Sequence, residues 1–488
     1  MSAKGGASVT HRRETIDSLK AIFNAGSLAV VGVSSNPKKE GYMTLETIIN
    51  GGYEGKLYPV NPKGGKICGI DVYPRLGDVP VNVDAVVIIV RADLVPGVME
   101  EAAEKGAKGV IILSGGFRES GRVDLEQEIL RIAKKTGMRI MGPNIQGINY
   151  PPNNMCAMMF PVIKTKGPLG IVSQSGTVTS ALSEWAEREA LGISAAVNLG
   201  NQVDLCESDY LDFFAEDDNT KVILMYLESI RDGRRFLSAL RRAASSKPVV
   251  ILKAGRTTAG AQAAASHTGS MAGNHEVFHA ACRQCGALPV NSLTELYDSG
   301  KGMAGIRPPK GNRILAMSTS GGVCTISTDE AESKGLTVSP LPSRLKDELE
   351  KLGLFSPLAS LSNPMDLVDM IGEHFFQAAG LVDRFDAVDT ILIVFGDPVP
   401  DGVDVIHALN EQLKASLAVG YMGGGEEEVR SRSELQREGI PVFPSPERAM
   451  NGILAALWRA NYRRRRDLEQ EGALWRPNPY LSSPKPMP

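Results

Sequence analysis

The residues with the clearest chemical potential are a histidine and a glutamate. His267 lies in "AAASHTGSMAG" (263–273), a run of small residues that gives its imidazole almost no steric cover. Glu228 closes the apolar segment "VILMYLE" (222–228), at the sheet edge where open α/β sheets bind ligands. A carboxylate that accepts one ring N–H fixes the tautomer and leaves the other nitrogen as a nucleophile. We therefore predict that His267 and Glu228 are catalytic; the alternative is an incidental histidine in a flexible loop.

Two Ser-Gly turns, each between a predicted strand and a predicted helix, are candidate phosphate sites. The first contains Ser173, Gln174, Ser175, Gly176 and Thr177; the second contains Thr319, Ser320, Gly321 and Gly322. The first N–H groups of a helix lack partners within the helix and lie at the positive end of its dipole, so such a turn can cradle an anion. Ordinary N-capping explains either turn alone equally well. Together with a histidine, the two turns are the components of a phosphohistidine site.

The stretch "VVGVSSNPKKEG" (30–41) raises the question of a dinucleotide cofactor. The dinucleotide fingerprint G-x-G-x-x-G requires three glycines at this turn, and only Gly32 is in place. A nicotinamide cofactor, and with it a dehydrogenase, is therefore disfavoured. Lys38, Lys39 and, after the next strand, Lys63 fit a ligand with several phosphates; surface lysines are the alternative.

The elements that must position these residues form three blocks of short apolar runs that alternate with amphipathic stretches. The predicted strands are 27–33, 56–61, 85–90, 109–114 and 139–142; then 169–173, 193–200, 222–228, 248–255 and 287–292; then 313–319, 337–341, 390–396, 416–423 and 441–445. Continuous apolar strands that alternate with helices predict an α/β fold of doubly wound parallel sheets. The Pro/Gly-rich stretches 151–168 and 305–312 predict domains at 1–150, 160–306 and 311–466, followed by a Pro-rich tail at 467–488.

Composition excludes several classes of protein. With 53 Lys plus Arg against 56 Asp plus Glu, the net charge of −3 argues against nucleic-acid binding. The basic block at 463–466 is expected to be the solvated end of a helix. No apolar run approaches the roughly 18 residues of a membrane span, and the N-terminus has no secretory pattern. Six unevenly spaced cysteines are typical of reduced cytoplasmic thiols.

The segment "HEVFHAACRQC" (275–285) imitates a metal site. His275, His279, Cys282 and Cys285 fall roughly on one helical face, but successive turns are about 5.4 Å apart, so ligands along a single helix rarely converge on one ion. We predict an ordinary amphipathic helix with Gly286 as its C-cap, and no metal site in this chain.

Taken together, these motifs resemble the α subunits of ADP-forming acetyl-CoA (acyl-CoA) synthetases, which are related to succinyl-CoA synthetase. "VGVSSNPKKEGY", "YPVNPKGG" and "MGPN" are similar to the CoA-binding domain of that family, and "GIVSQSG" to its phosphate turn. "SHTGSMAG" is similar to the phosphohistidine loop and "SNPMDL" (362–367) to the third domain. The resemblance extends from about residue 15 to residue 462.

The resemblance implies a Rossmann-like CoA-binding domain followed by two flavodoxin-like domains of the succinyl-CoA-ligase type. It implies that CoA contacts Gly32, Ser34, Asn36, Pro37, Lys38, Asn61, Lys63, Val90, Ser114, Gly115 and Asn144. His267 would carry the phosphoryl group, Glu228 would orient it, and the anion would lie at the two Ser-Gly turns. Acyl-CoA and phosphate would give acyl phosphate and CoA, and the phosphoryl group would pass through histidine to ADP.

The resemblance also implies a partner, because no ATP-grasp pattern follows the third block. ADP or ATP with Mg²⁺ is expected on an ATP-grasp β subunit in an α2β2 assembly, and CoA and a carboxylic acid are substrates rather than tightly bound cofactors. Two positions depart from succinyl-CoA synthetases: Ile145 replaces a cysteine, and Asp397 stands where a Gly-Gly helix start is expected. A non-catalytic CoA sensor of the same fold is the alternative, and the acyl group stays open.

Overall fold

A computed structural model of the 488-residue chain describes residues 3–268 and 274–470, with side chains described for 10–264 and 274–468. The predicted tail from 471 onward and the glycines at 269 and 273 lie outside the described residues. Residues 467–470, predicted as tail, are helical.

The first sheet has five parallel strands in the order β2-β1-β5-β6-β7. Its strands are β1 (Ser27–Val31), β2 (Lys56–Val60), β5 (Ala85–Ile88), β6 (Gly109–Ile112) and β7 (Arg139–Met141); a small hairpin joins β3 (Lys66–Ile67) to β4 (Ile70–Asp71). The helices of this region are α1 (Ala3–Phe23), α2 (Glu40–Asn50), α3 (Val95–Glu104) and α4 (Val123–Thr136).

The second sheet has seven strands in the order β14-β13-β12-β10-β11-β8-β9. They are β8 (Gly147–Tyr150), β9 (Met155–Met158), β10 (Lys166–Ser173), β11 (Ile193–Asn198), β12 (Val222–Leu227), β13 (Val249–Lys253) and β14 (Leu288–Val290). Its helices are α5 (Gly176–Arg188), α6 (Glu207–Glu216), α7 (Gly233–Ser246), α8 (Thr258–Thr268), α9 (His275–Cys285) and α10 (Leu293–Gly305).

The third sheet has six strands in the order β16-β17-β15-β18-β19-β20. They are β15 (Ile314–Ser318), β16 (Ser360–Leu361), β17 (Met365–Asp366), β18 (Thr390–Phe395), β19 (Ser416–Tyr421) and β20 (Val442–Phe443). Its helices are α11 (Gly321–Ser333), α12 (Ser343–Lys351), α13 (Gly372–Arg384), α14 (Gly402–Gln412), α15 (Glu426–Arg437) and α16 (Pro446–Gln470).

This architecture confirms the predicted α/β class. Every residue of β5, β11, β13, β18 and β19 is buried, as expected for central strands covered by helices on both faces. Such strands have no solvent-facing side and therefore contain continuous rather than alternating apolar residues.

Two strand predictions are corrected by the structure. The stretch that we expected to be a linker contains β9, and β8 before it pairs antiparallel with β11, so a hairpin from residues 147–158 extends the second sheet across the predicted boundary at residue 150. The buried Ile148, Tyr150, Met155 and Ala157 stabilise it. The strand predicted at 337–341 is wrong, since only an isolated bridge between Arg313 and Thr337 forms there. Pro340 has no N–H to donate to a ladder.

The second and third sheets are joined by helices α10 and α16, which cross at a glycine contact. A Cβ atom on Gly302 would lie 2.3 Å from the Cα of Gly452, so neither position tolerates a side chain without a shift. Beside this contact, Lys301 is 1% exposed and its ammonium lies 2.7 Å from Glu189. Burial raises the pKa of Glu189, but Lys301 and two arginines lower it overall. The pair lies at the domain junction, where the Lys301 ammonium also donates to the carbonyl of Val442 on the third sheet.

Candidate functional site

The eleven predicted CoA contacts all lie in loops that follow the carboxyl ends of the first sheet's parallel strands. Gly32 to Lys38 follow β1; Asn61 and Lys63 follow β2; Val90 follows β5; Ser114 and Gly115 follow β6; and Asn144 follows β7. Ligands of open α/β sheets bind at this edge. The topology thus brings together residues that are more than a hundred positions apart in sequence.

The loop after β1 is tightly constrained. Gly32 has φ +100°, and a Cβ atom there would lie 2.0 Å from the carbonyl oxygen of Ile89. Asn36 donates its N–H to the Ser34 hydroxyl, and Lys38 donates its N–H to the Asn36 side chain. The loop is therefore pre-shaped, with the side chain of Lys38 exposed.

Hydrogen bonds connect the other loops of this edge to one another. Asn61 donates its amide to the carbonyl of Val33, which joins the loops after β1 and β2. The Ser114 hydroxyl accepts the N–H of Val90, and the Ser114 carbonyl accepts the N–H of Asn144. The loops after β5, β6 and β7 therefore form a connected rim.

This rim continues directly into the second sheet through residues that the sequence analysis did not single out. The Asn144 amide donates to the Asn201 side chain at 3.3 Å, and the N–H of Gln146 donates to the Asn198 side chain at 2.8 Å. Asn198 in turn donates to the carbonyl of Ser173 in the first Ser-Gly turn. The "GPN" motif and the phosphate turn are thus separated by only a short chain of hydrogen bonds.

The first Ser-Gly turn has the geometry of an anion cradle. Ser173 is fully buried, and its hydroxyl both donates to the carbonyl of Ser175 and accepts the N–H of Ser175. Ser175 caps α5 by accepting the N–H of Val178. Within the described residues, the amides of Gly176 and Thr177 donate to no protein acceptor. These two amides sit at the positive end of the α5 dipole.

Gln174 has a different geometry from the one predicted for a phosphate ligand. Its side-chain oxygen accepts the N–H groups of Glu228 and Ser229, and its nitrogen donates to the Ser229 carbonyl at 2.8 Å. The side chain therefore clamps the loop after β12 against the first turn. This contact places Glu228, which is 7% exposed, beside the predicted phosphate site. Burial and the neighbouring Glu228 raise the pKa of Tyr226 to about 12.

Lys253, which the sequence analysis missed, lies next to Glu228. It ends β13, its side chain is buried, and its ammonium donates to the carbonyls of Glu228 and Ala254. In the sequence, this lysine follows an apolar run just as Glu228 does. That position was the feature from which Lys253 could have been predicted as a site residue.

His267 belongs to helix α8 rather than to the flexible loop that we predicted. The backbone of Thr258–Thr268 is helical, and His267 lies in its last turn. The alanines at 261 and 263–265 explain this, because alanine has the highest intrinsic helix propensity. The small residues predicted to make a loop instead extend the helix up to the described boundary. The side chain of His267 lies outside the described part of the structure.

The second Ser-Gly turn lies on the third sheet and faces a carboxylate. Thr319 accepts the N–H of Gly396, and Ser320 makes no side-chain cap of α11. A Cβ atom on Gly321 would lie 2.8 Å from an Asp366 carboxylate oxygen. The amino terminus of α11 therefore already faces a negative charge, which is less favourable for phosphate than the first turn.

The segment 275–285, whose residue spacing imitates a metal site, forms the predicted helix α9, with Asn274 as N-cap and Gly286 as C-cap. The rings of His275 and His279 are 3.9 Å apart. Burial, together with the charges of His275, Arg283 and Arg256, lowers the pKa of His279 to about 4. Across the described ranges, no group of three or more His, Cys, Asp or Glu side chains is placed to hold a metal ion.

The predicted basic block at 463–466 lies in α16, and two of its arginines donate hydrogen bonds to backbone carbonyls. Arg464 donates to the carbonyl of Lys310, and Arg466 donates to the carbonyl of Ser245. Arg465 and Arg466 also line a cavity of about 1590 Å³ beside α7 and α9. The lining of that cavity shares no residue with the predicted CoA or phosphate contacts.

In the part of the chain that the structure describes, no helix is both long and apolar enough to span a bilayer.

Known proteins match this chain over nearly its whole length. Residues 26–151 match the family described as a CoA binding domain, and residues 166–302 match the succinyl-CoA ligase like flavodoxin domain. The α subunit of acetate–CoA ligase [ADP-forming] I from Pyrococcus furiosus is 38% identical over 466 residues, which cover 91% of this chain and 99% of that protein. Acetate–CoA ligase [ADP-forming] I from Archaeoglobus fulgidus is 35% identical over 89% of this chain but 63% of its own length.

A solved structure matches the fold as well. It is the dinucleotide forming acetyl-coenzyme A synthetase 1 of Ca. Korarchaeum cryptofilum, in complex with phosphate and ADP. It superposes with a TM-score of 0.82 at 34% identity and covers 94% of this chain and 99% of that one.

Proposed function

Because this chain belongs to the family of α subunits of ADP-forming acetate–CoA ligases, we propose that it interconverts acyl-CoA, ADP and phosphate with a carboxylic acid, CoA and ATP. Members of this family are acid–thiol ligases. The observation that carries the proposal is the set of hydrogen bonds that joins the CoA-binding edge to the phosphate turn. Asn144 donates to Asn201, and two residues further on the N–H of Gln146 donates to Asn198, which donates to the carbonyl of Ser173. An acyl group at that junction is next to both the thiol end of CoA and the phosphate.

We assign CoA to the carboxyl edge of the first sheet, with Lys38 and Lys63 beside its phosphates. The match to a CoA binding domain over residues 26–151 supports this, as does the pre-shaped loop after β1. The exposed ends of both lysines are free to meet a polyanion without desolvating a buried charge.

Replacing Lys63 tests this assignment. Lys63→Ala is expected to weaken CoA binding by the full chain about tenfold at low salt and less at high salt, because exposed charge pairs are screened. Calorimetry at two ionic strengths measures it. Lys66→Ala is the matched control, since Lys66 is exposed and pairs instead with Asp71. Equal CoA affinities for the two variants would mean that Lys63 is an ordinary surface lysine that does not contact CoA.

For the chemical steps, we assign the phosphoryl group to the first Ser-Gly turn, Glu228 and His267. A phosphate oxygen attacks the thioester carbonyl, CoA leaves as the thiol, and the product is an acyl phosphate. A nitrogen of His267 then attacks phosphorus and the carboxylate leaves. The phosphoryl group passes from histidine to ADP. The open amides of Gly176 and Thr177 support this assignment, since phosphoryl transfer depends mainly on positioning and electrostatics.

We assign a second phosphate site to the third-sheet turn at Ser320, Gly321 and Gly322. The phosphoryl group would occupy it after leaving the first Ser-Gly turn. Asp366 beside it would then have to move or lose its charge before a phosphate could bind. The first turn needs no such change.

We place ADP or ATP and Mg²⁺ on an ATP-grasp β subunit, in an α2β2 assembly. Two relatives are named as α subunits, which implies a partner. In the Archaeoglobus fulgidus relative, the match leaves about a third of the protein uncovered, which is enough for such a domain. All six cysteines are unpaired, in keeping with the reducing cytoplasm that we propose as its location.

One reaction tests the proposal as a whole. The purified chain, mixed with acetyl-CoA and radiolabelled phosphate, is expected to acquire label that is acid-labile and base-stable, as a phosphoramidate is. With ADP present it is expected to make no sustained ATP, because the nucleotide site lies on the partner. Steady ATP synthesis by the chain alone would contradict the subunit assignment. CoA binding without any label would instead favour the sensor.

A further inference from the structure

The buried ammonium of Lys253 is the least explained charge at the site. The residue is 7% exposed, and Nζ donates to the carbonyl oxygens of Glu228 and Ala254, each at 2.8 Å. Within the described residues it takes part in no ion pair. Carbonyl oxygens replace only part of the hydration that a buried ammonium loses, so such a charge costs several kcal/mol unless an anion compensates it.

The two carbonyls belong to the two segments that matter most for the proposed phosphoryl transfer. Glu228 follows β12, and Ala254 begins the connection from β13 to the helix that carries His267. Gly255, with φ +81°, makes the turn, and a Cβ atom there would lie 3.3 Å from the Cα of Ala261 in α8. Lys253 therefore links the carboxylate segment to the base of helix α8.

The electrostatics of the site call for such a cation. A phosphoryl group beside the Glu228 carboxylate would place a dianion next to an anion, which is repulsive. Burial lowers the pKa of Lys253, while the Glu228 charge raises it, so the ammonium already senses that carboxylate. A positive charge held behind Glu228 offsets the repulsion at the position where the phosphoryl group is expected.

We propose that Lys253 is a positioning residue for phosphoryl transfer: it holds Glu228 against the base of helix α8 and supplies the charge that lets a phosphoryl group lie beside that carboxylate. This inference rests on the proposed function and extends it to a residue outside the predicted site. Lys253 acts through Glu228 and through its field, so its removal affects phosphate and not CoA.

The test uses the full chain and Lys253→Met, which keeps the length of the side chain without its charge. Calorimetry with inorganic phosphate alone is expected to show affinity lowered by about 30-fold or more, the order expected for a lost unit charge several ångströms away in a partly buried site. Labelling from acetyl-CoA and radiolabelled phosphate is expected to slow similarly. CoA affinity, measured on the same sample, is expected to be unchanged, and a melting temperature equal to that of the parent reports that the variant is folded.

Lys247→Met is the matched control. Lys247 precedes the opposite end of β13, its ammonium donates to the carbonyl of Asp217, and burial likewise lowers its pKa. Lys247 is half-buried, so Lys247→Met also removes an ammonium that binds a carbonyl, but away from the carboxyl edge of the sheet. Its phosphate affinity and labelling rate are expected to match those of the parent.

A pH profile separates the charge of Lys253 from its shape. The ammonium is present below its pKa and lost above it, so labelling is expected to fall on the alkaline side, beginning below the ordinary lysine value of about 10.4. Two titratable neighbours of Lys253 do not produce that limb: the pKa of Tyr226 is raised to about 12, and burial lowers the pKa of His275 below its ordinary value, so that histidine loses its proton at lower pH. In Lys253→Arg, whose guanidinium stays charged, the alkaline fall is expected to disappear.

The inference and the proposed function fail separately. Phosphate affinity and labelling within twofold of the parent in Lys253→Met would overturn the inference while leaving the function intact. An identical alkaline fall in Lys253→Arg would overturn it too. Conversely, if the parent binds phosphate through Lys253 but never acquires label, the part of the lysine in holding phosphate beside Glu228 stands and the proposed phosphohistidine chemistry fails.

Discussion

Replacing His267 with asparagine is expected to abolish the acid-labile label that acetyl-CoA and radiolabelled phosphate place on this chain. Asparagine has no nucleophilic nitrogen, because its amide lone pair is delocalised, so no phosphoramidate can form. CoA binding is expected to stay at the parental affinity, since the predicted CoA contacts lie on the first sheet. The measurement is acid-labile, base-stable radioactivity on the purified chain, counted after separation from free phosphate.

His279→Asn is the control for this experiment. Burial and neighbouring charges lower the pKa of His279 to about 4, and this histidine lies on the helix that follows the His267 segment. Its replacement is expected to leave labelling unchanged. If label survives in His267→Asn and disappears in His279→Asn, the phosphoryl acceptor is His279 and the assignment of His267 is wrong.

Replacing Glu228 with glutamine is expected to slow labelling by about a hundredfold, equivalent to about 2.7 kcal/mol of transition-state stabilisation. Glutamine keeps the size of the side chain, and the backbone N–H of residue 228 still donates to Gln174. What is lost is the negative charge that holds one ring tautomer and stabilises the imidazolium-like product. Single-turnover labelling rates at saturating acetyl-CoA measure the effect without contributions from substrate binding.

Glu207→Gln is the matched control for Glu228→Gln. Glu207 is also buried, and burial raises its pKa. It lies at the start of α6, and it is expected to label at the parental rate. A Glu228 variant that labels as fast as this control would mean that the carboxylate has no part in the transfer.

The central strands of the sheets could be predicted from the sequence. Runs such as "AVVIIV" and "VILMYLE" predicted central parallel strands, and the structure places both in sheet interiors. The hairpin formed by β8 and β9 was missed, because β8 pairs with β11, nearly fifty residues further along the chain. The false strand at 337–341 shows the opposite error, in which apolar residues around Pro340 imitate a strand that cannot complete its ladder.

At the candidate site too, some features could be predicted from the sequence and others could not. Types and spacing of residues were enough to nominate Glu228 and the first Ser-Gly turn, since both follow apolar strands directly. They could not reveal that Gln174 clamps the Glu228 loop, or that Asn198 and Asn201 join the two domains, because those contacts are made across loops from different strands. Lys253 was overlooked because a lysine at a strand end is ordinarily solvated, and only burial gives it meaning.

By itself, the sequence determined the α/β class, the family and the residue types available for CoA and phosphate chemistry, because apolar periodicity and turn motifs are local properties of the chain. Only the tertiary structure decided which of those residues lie together. It set the order of strands in each sheet, which collects loops from distant positions at one edge. It also buried Lys253 beside Glu228, where the charge of an ordinary lysine acts on the site. Burial and contact between distant segments depend on packing, and packing is not a property of any short stretch of sequence.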